Sequence, residues 1–570
     1  MIRQMCSFIR VAALIVAVPT ALVAQADARG SSPLPLKHTP EPTSAEITAR
    51  DLMTRLYIFA DDSMMGRETG TRGHLMSTAY IAKELSRLGL EPAGDNGTFF
   101  QSVPMVRRAF DEKSTITVGG TTLRGGTDFI ASAPTGAVPS IGTLDVVFGG
   151  RAGDTTGALA PDQLRGKLVV QYPAQRGAGR GGFGGRGGRG GGAAVVATIE
   201  EIAPQALRLA THPREGQVTL KTAPAGSQPG IVTLTLTPTA AQVLLGGDPA
   251  SVNKGPAGKS ASLHLVFDEE PAPARNVVAI IPGSDAKLKR EYVALGAHSD
   301  HIGYLTTAPQ DHDSLHVFRE AQFAINGLVR RGQQPSVEQQ GQLSALHVNF
   351  DSLRRAHPVR PDSIRNGADD DGSGSVTLLE IAEAFAKSPQ KPKRSLLFVW
   401  HTGEEKGLLG SRWVTDHLPV PTDSIVAQLN MDMVGRGATR DIPGGSDTYL
   451  QLVGSRRLST ELGDIVERVN KTESMPFAFD YQYDANGDPE NIYCRSDHYN
   501  YARLGIPVVF FTTGLQGDYH QVTDEPQYID YPHMARVGQL VHDIAVTVAN
   551  LDHRPLVDKP KPDPNGRCQQ

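Results

Sequence analysis

Residues 394–411 read RSLLFVWHTGEEKGLLGS, and this stretch sets the pattern for the rest of the chain. Residues 395–400 are continuously apolar, rich in β-forming side chains and free of proline and glycine, which predicts a buried strand. The strand is expected to stop near His401, and two adjacent carboxylates, Glu404 and Glu405, follow it. Because open α/β sheets bind ligands beyond the carboxyl ends of their strands, we expect these carboxylates at a binding crevice.

Strand and helix patterns alternate from residue 275 onward. The predicted strands cover residues 276–281, 292–297, 395–400, 424–431 and 506–511. The predicted helices cover residues 373–387, 460–471 and 534–551. This alternation is typical of an α/β protein with a mixed, mainly parallel sheet flanked by helices.

The composition is that of a soluble globular chain. Of its 570 residues, 39% are hydrophobic and 21% are charged, which is enough apolar material for a substantial core. The formal net charge of −5 favours neither a nucleic-acid partner nor a membrane surface. The length predicts more than one domain.

The first 26 residues have the pattern of a secretory signal peptide. Arg3 and Arg10 form a basic start, residues 11–23 form a short apolar stretch, and Ala24-Gln25-Ala26 resembles a cleavage site. The apolar stretch is too short to span a bilayer, so we expect no stable membrane insertion. The sequence therefore predicts an exported protein, periplasmic or extracellular.

The remaining chain divides by composition into segments with different patterns. Residues 131–267 are punctuated by glycine and proline around short β-type runs, which predicts a small β-rich domain inserted into the larger one. Within the insert we expect a helix over residues 193–210 and a flexible Gly/Arg-rich surface loop over residues 176–192, rather than a nucleic-acid site. The other expected segments are a disordered leader (27–45), the first part of the larger domain (46–130), its main part (268–552) with a lid-like insertion (304–366), and a disordered tail (553–570).

Two cysteines remain after removal of the signal peptide, Cys494 and Cys568. They could pair in an oxidising compartment, but two cysteines do not make a disulfide framework. Cys568 lies in a tail rich in proline and lysine, and we expect no structural role for it.

Five places in the sequence carry candidate metal ligands, each after a predicted strand or at a helix start. They are His298-Ser299-Asp300-His301, the Asp369-Asp370-Asp371 run before Gly372, Glu404-Glu405, Asp432 and Tyr519-His520. Carboxylates that converge in one crevice repel each other, and divalent cations relieve that repulsion. Two imidazoles with three carboxylates suit a pair of zinc ions that share one bridging carboxylate.

These segments together resemble the co-catalytic dizinc peptidase family of secreted bacterial aminopeptidases, glutamate carboxypeptidase and glutaminyl cyclase. The matching segments occur in family order and cover about half of the chain: Gly296-Ala297-His298-Ser299-Asp300, residues 367–374, residues 402–411, residues 430–435, Ser496-Asp497-His498 and Tyr519-His520. Gly66-Arg67-Glu68 also resembles the N-terminal part of bacterial members. The β-rich insert resembles the protease-associated domain that several members carry.

The resemblance implies a set of five metal ligands. Asp370 would bridge two zinc ions per chain, with cobalt or manganese as candidate substitutes. His298 and Asp432 would complete one site, and Glu405 and His520 would complete the other.

The resemblance also implies three further roles in catalysis. Glu404 matches the general base, Asp300 matches an acid that hydrogen-bonds the first ligand histidine, and Tyr519 is similar to a tyrosine that helps to stabilise the oxyanion. The implied reaction is hydrolysis of N-terminal residues from peptide substrates by a metal-bridged hydroxide.

Several alternatives remain open at this stage. A carboxypeptidase or dipeptidase of the same family would need a basic pocket for a carboxylate, for which the lid offers Arg330, Arg331, Arg354, Arg355 and Arg360. Glutaminyl cyclase uses one zinc ion, and a receptor-like relative without activity would lack ligands, so the complete ligand set disfavours both. Side-chain preference and oligomeric state stay undetermined.

Overall fold

The computed structural model describes most of the chain. The described residues are 34–134, 136, 138, 141–174, 193–212, 216–222, 232–326, 336–345, 350–356, 358–439, 441–442, 444–566 and 568–570. The predicted signal peptide (1–26), the start of the predicted leader and the Gly/Arg-rich loop (176–192) lie outside them.

The larger domain is built on a mixed sheet whose central strands are parallel, in agreement with the predicted fold class. Across the sheet the strands follow in the order Glu91–Pro92, Ala274–Ile281, Ser395–His401, Tyr292–His298, Ile425–Met431, Val508–Thr512, Tyr449–Val453 and Ala478–Asp480, and Phe100–Val103 also pairs with Ala274–Ile281. Each strand expected from residue 275 onward is present, with ends that differ by one or two residues.

Helices cover both faces of this sheet because its central strand is apolar on both sides. Leu396, Phe398 and Trp400 belong to one buried cluster, and Leu397 and Val399 belong to another on the opposite face. The first face packs against helices Ala49–Phe59, Arg72–Leu88, Gly374–Lys387, Thr460–Asn470 and Tyr531–Asn550. The second face packs against helices Leu409–Asp416 and His498–Ala502.

The register of the parallel strands brings their carboxyl ends to one edge. His298 pairs with His401 at the ends of their strands. Gly296 lies opposite Asn430, and Met431 lies opposite Phe511. Every polar segment singled out beyond these strands therefore emerges at the same edge of the sheet.

A second, β-rich body has its own hydrophobic core. Its eight strands follow in the order Thr121–Arg124, Thr115–Val118, Gly255–His264, Thr143–Arg151, Leu168–Tyr172, Val195–Ile199, Val232–Leu236 and Phe129–Ser132. A short third sheet consists of Gln217–Leu220, Met105–Phe110 and Phe267–Pro271, and the last two of these strands flank the eight-stranded sheet in chain order. The expected start of the insert at residue 131 was therefore too late, since strands from Thr115 onward already belong to this body.

The helix expected over residues 193–210 was wrong. Residues Val195–Ile199 form a strand that pairs in parallel with both Leu168–Tyr172 and Val232–Leu236. Helix Pro204–Thr211 begins only afterwards, with proline in its first turn. Apolar β-branched residues buried on both sides of a parallel sheet explain the strand.

Where the structure describes it, the insertion over residues 304–366 is mainly helical, and its first helix contacts Asp518, two residues before His520. Its described helices are His312–Asn326, Val337–Ala345 and Phe350–Ala356, and Gln310–Asp311 pairs with Pro361–Asp362 at its base. In the described chain, no helix is long and apolar enough to cross a membrane.

The two segments expected to be disordered are attached to the body where the structure describes them. In the leader, the Tyr57 hydroxyl donates to the Pro35 carbonyl, and Ser44 Oγ donates to Asp51 Oδ2 at 2.7 Å. In the tail, Cys568 forms a disulfide with Cys494. The Tyr493 amide donates to the side chain of the last residue, Gln570, at 3.0 Å. The expectations of a disordered tail and a Cys568 without structural role were therefore wrong.

Candidate metal centre

One group of potential ligands lies where strand Tyr292–His298 ends. His298 Nε2 is 3.3 Å from Asp370 Oδ1 and 3.6 Å from Asp432 Oδ1. His298 Nδ1 lies 3.0 Å from the Asp300 carbonyl oxygen, so this nitrogen carries the hydrogen and Nε2 keeps its lone pair. All three side chains are buried.

A second group shares Asp370 with the first. His520 Nε2 lies 3.0 Å from Asp370 Oδ2 and 3.1 Å from Glu405 Oε2. The two oxygens of Asp370 thus face different imidazoles. The structure therefore brings together the five residues that the sequence selected, with Asp370 between the two groups.

The structure adds His301, which the sequence reasoning missed. Its Nδ1 atom lies 2.8 Å from Glu405 Oε1 and 3.8 Å from Asp370 Oδ2. His301 belongs to the candidate segment that begins with His298, but only the first histidine of that segment was predicted to be a ligand. Two histidines three residues apart after one strand were the available signal.

The chemistry of these residues fits bound divalent cations. Among the described side chains, His298 Nε2, Asp370 Oδ2 and Glu405 Oε1 are buried without an aligned hydrogen-bond partner. Buried polar atoms are normally paired, and orphaned donor atoms that converge from several segments need a common partner. Nitrogen and carboxylate oxygen atoms in this ratio suit zinc.

Two further carboxylates fix the backbone of the candidate ligands. Asp371 accepts hydrogen bonds from the amides of His298 at 2.9 Å and Gly374 at 2.9 Å, so it joins a strand end to a helix start. Asp524 accepts from the amides of Asp369 at 2.9 Å and Asp370 at 3.1 Å. Residue type alone offered no means of separating Asp371 from Asp370 within the aspartate run.

Asp300 is placed differently from its expected role. Its carboxylate is 3.9 Å from His298 Nδ1, and its own main-chain carbonyl makes the contact instead. The carboxylate accepts from Thr69 Oγ1 at 2.8 Å and from the Glu404 amide at 3.3 Å. Burial raises the pKa of Asp300 to about 6. Asp300 therefore positions the turn that carries Glu404.

The environments of Glu404 and Glu405 push their pKa values in opposite directions. Burial raises the pKa of Glu404 well above its ordinary value. Burial also raises the pKa of Glu405, but the charge of His520 and the close contacts of His301 and His520 together outweigh it and hold that pKa at about 2. Adjacent carboxylates separated in this way suit two roles, one as an anionic ligand and one as a proton carrier.

A cavity opens beside Glu404. Its apolar wall consists of Met433, Tyr483, Ile492, Phe510 and Leu515. Tyr519 and Arg495 also line it, and Arg495 Nη2 donates to the Tyr519 hydroxyl oxygen at 3.3 Å. The cavity therefore combines an apolar wall with one cationic and several anionic groups.

Two of the lid arginines make contacts within the lid. Arg354 pairs with Asp311, and Arg360 Nη2 lies 3.0 Å from Asp313 Oδ1. Arg330 and Arg331 lie outside the described residues. A basic pocket made by Arg354 or Arg360 is therefore not supported.

A third cluster of His312, Asp362 and Glu525 lies at the base of the lid. His312 Nδ1 is 3.0 Å from Asp362 Oδ2, and Asn366 Nδ2 donates to Glu525 Oε1 at 2.9 Å. These side chains have hydrogen-bond partners, unlike the orphaned atoms of the two groups at the sheet edge.

The chain is similar to known peptidases. Residues 276–545 match the model of Peptidase family M28. A probable leucine aminopeptidase of Arthroderma benhamiae is 30% identical over 198 residues, which cover 33% of this chain and 50% of the relative. Leucine aminopeptidase 1 of Trichophyton equinum is 30% identical over 212 residues, covering 35% of this chain and 52% of the relative.

A solved aminopeptidase structure from Aneurinibacillus sp. strain AM-1 covers 91% of this chain and 97% of its own, with 16% identity and a TM-score of 0.47. The chain spans about half the length of the curated relatives it matches.

Proposed function

Over residues 276–545 this chain belongs to Peptidase family M28, and from that premise we propose that it is an exported, zinc-dependent aminopeptidase that removes N-terminal residues from peptides. The observation that carries the proposal is the convergence of two ligand groups on Asp370. The matched relatives are named leucine aminopeptidases, which supports the choice of an aminopeptidase. Export rests on the signal-like pattern of residues 1–26.

The proposed ligands are His298 and Asp432 for one ion, Glu405 and His520 for the other, and Asp370 for both. The chemistry that two zinc ions supply when bound is polarisation of the scissile carbonyl and an increased acidity of water. The carboxylates of Asp370, Asp432 and Glu405 would balance that charge in a buried site.

Glu404 is proposed as the general base. Its side chain lines the cavity, and its Oε2 atom is 4.0 Å from His298 Nε2, close to the ligands without belonging to either group. In this role it takes the proton of the attacking water and passes it to the leaving amine. The hydrogen bond from the Glu404 amide to Asp300 holds the turn in place.

Tyr519 is proposed to donate a hydrogen bond to the oxyanion. Its hydroxyl oxygen accepts from Arg495, so its own hydrogen stays available to the substrate. Arg495 would fix the hydroxyl at the cavity and add positive charge beside it.

Hydrolysis of a panel of peptides tests the proposed function. The panel contains aminoacyl amides and peptides with a free N-terminus, together with the same peptides blocked by acetylation, each with and without a chelator. We expect cleavage only of substrates with a free amine, and loss of activity with the chelator. Cleavage of blocked peptides alone would overturn the assignment to aminopeptidases.

One observation favours a second candidate, hydrolysis of dipeptides or removal of a C-terminal residue. The Arg495 guanidinium lines the cavity, and its nearest carboxylate contact, Nη1 to Glu490 Oε2, is 3.5 Å long. A substrate carboxylate could compete for this cation. If this candidate holds, Arg495→Gln raises KM for a dipeptide far more than for the corresponding dipeptide amide. Equal changes in KM for both substrates would rule out this second candidate and leave only the aminopeptidase proposal.

A further inference from the structure

We propose that His301 is a direct ligand of the second cation, together with Asp370, Glu405 and His520. This residue is not among the five ligands that the family resemblance implies. The inference rests on the proposed function only in that the centre binds metal. It adds a second imidazole to one of the two sites and makes the sites chemically unequal.

The first observation is the position of the His301 ring. The side chain is fully buried, and its Nδ1 atom, Asp370 and Glu405 place ligand atoms within 4.8 Å of one another. The His301 and His520 rings are nearly perpendicular, with centroids 5.5 Å apart. Both imidazoles therefore approach the carboxylate of Glu405, one at each oxygen.

The second observation is the direction of the His301 nitrogens. Nδ1 lies 2.8 Å from Glu405 Oε1, yet its N–H direction does not align with that oxygen as a hydrogen bond requires. Nε2 has no hydrogen-bond partner among the described residues. Two metal-ligand atoms are expected to lie close together without hydrogen-bond alignment when both point at a third atom between them.

Another buried histidine at the same sheet edge provides the contrast. His401 is also fully buried, but its Nδ1 lies 3.2 Å from the Ala297 carbonyl and its Nε2 lies 3.0 Å from the Tyr501 hydroxyl. His401 is therefore a satisfied core histidine. His301 has no such pair of contacts within the described chain.

The third observation is the cradle that holds the ring. The His301 amide donates to the Arg67 carbonyl at 3.3 Å, which fixes the backbone after the strand. Gly367 has a φ of +57°, and a Cβ atom built there would lie 2.5 Å from His301 Cγ. The glycine therefore leaves room for the imidazole against the segment that carries Asp370.

The consequence is a difference between the two sites. The site of His298 and Asp432 has one imidazole, whereas the site of His301, His520 and Glu405 has two. Imidazole favours zinc and cobalt over manganese, which prefers oxygen ligands. We therefore expect the second site to fill first and to discriminate more strongly against manganese.

Titration of chelator-treated protein with Co²⁺ tests the inference, with visible absorption and equilibrium dialysis as readouts. We expect wild type to bind two ions. We expect His301→Ala to weaken one of the two binding steps by at least tenfold and to change the visible spectrum of that step, because a nitrogen ligand is lost. His301→Gln, which keeps more of the side-chain volume, should behave in the same way and serves if the alanine variant fails to fold.

His533→Gln is the matched control, since His533 is buried but belongs to neither ligand group. It should keep both binding steps and both spectra. If His301→Ala and His301→Gln bind both ions with wild-type affinity, or lose affinity with an unchanged spectrum, His301 is not a ligand. If wild type binds no cobalt at all, the proposed function fails instead, so the two failures are distinguishable.

Discussion

The two carboxylate oxygens of Asp370 lie against different imidazoles, Oδ1 at 3.3 Å from His298 and Oδ2 at 3.0 Å from His520. The amide of Asp370 in turn donates to Asp524 at 3.1 Å. His298 and Asp432 form one ligand group with Asp370, and Glu405 and His520 form the other. A side chain held in this way cannot move without changing both ligand groups.

At the residue scale, Glu404→Gln separates catalysis from metal binding. We expect kcat to fall by a factor of about 10²–10⁴ because the proton carrier is lost. Bound zinc should stay at the wild-type level, since Glu404 belongs to neither ligand group. Parallel measurement of peptide hydrolysis and zinc content checks both parts. Glu405→Gln is the matched comparison and should lose zinc as well as activity.

A Glu404→Gln protein that loses zinc, or one that keeps full activity, would contradict the role assigned to Glu404.

Residue types and their order were sufficient to find the candidate segments, and the family resemblance implied the ligands within them, but neither could assign every contact. His298, Glu405 and Asp432 follow predicted strands, so the sequence placed them at one edge. The hydrogen-bond partner of His298 Nδ1 depends on how the turn after the strand folds, and that partner is the Asp300 carbonyl oxygen. The approach of His301 depends on the room left by Gly367, which no local pattern reveals.

At the scale of elements, the site is assembled from segments that begin where neighbouring parallel strands end. Those strands were predictable because they are buried on both faces and so read as unbroken apolar runs. Strand Val195–Ile199 was missed because its parallel partners are far away in sequence. A short apolar run does not by itself distinguish a buried strand from a helix.

The lid helix His312–Asn326 contacts the loop before His520 through His316. Its ring lies 3.2 Å from Asp518 and 3.4 Å from Glu320, and it stacks on Tyr528 with centroids 3.8 Å apart. Burial lowers the pKa of His316, but the hydrogen bonds to Asp518 and Glu320 outweigh it and raise the pKa to about 9. The lid contact is therefore expected to depend on pH.

Because the pKa of His316 is raised from about 6.5 in the unfolded chain, its stabilisation is fully present below pH 6.5 and is lost as the pH rises through 9. We expect the difference in free energy of unfolding between wild type and His316→Gln to shrink over this range, by about 3 kcal/mol at most. Urea unfolding at pH 6 to 9.5 measures it. A difference that stays constant with pH, or an equal change in the exposed-site control His264→Gln, would refute this explanation.

At the scale of the whole molecule, the tail is a covalently attached part of the larger domain. The disulfide from Cys568 reaches Cys494, which is followed by Arg495 and Ser496 at the cavity. Ser496 Oγ donates to Asp432 Oδ2 at 2.7 Å. The composition of the tail predicted disorder. The pairing of two cysteines 74 residues apart depends on the tertiary structure, which composition does not reveal.

Removal of the disulfide is expected to destabilise the protein. A bond that closes a loop of 74 residues lowers the entropy of the unfolded chain by an amount equivalent to about 4 kcal/mol. We expect Cys568→Ser to lower the free energy of unfolding by up to this amount in guanidinium titrations. Cys494→Ser should give a similar loss, and wild type under reducing conditions should match both. Unchanged stability in all three would show that the bond does not form in the protein.

The zinc content of the active enzyme tests the central claim most directly. It is measured by mass spectrometry of purified, dialysed protein, for wild type and for Asp370→Ala. The account predicts two zinc ions per wild-type chain and fewer than one in the variant, because Asp370 is the residue that both ligand groups share. Active wild-type protein without metal, or an Asp370→Ala variant that retains two ions, would contradict it.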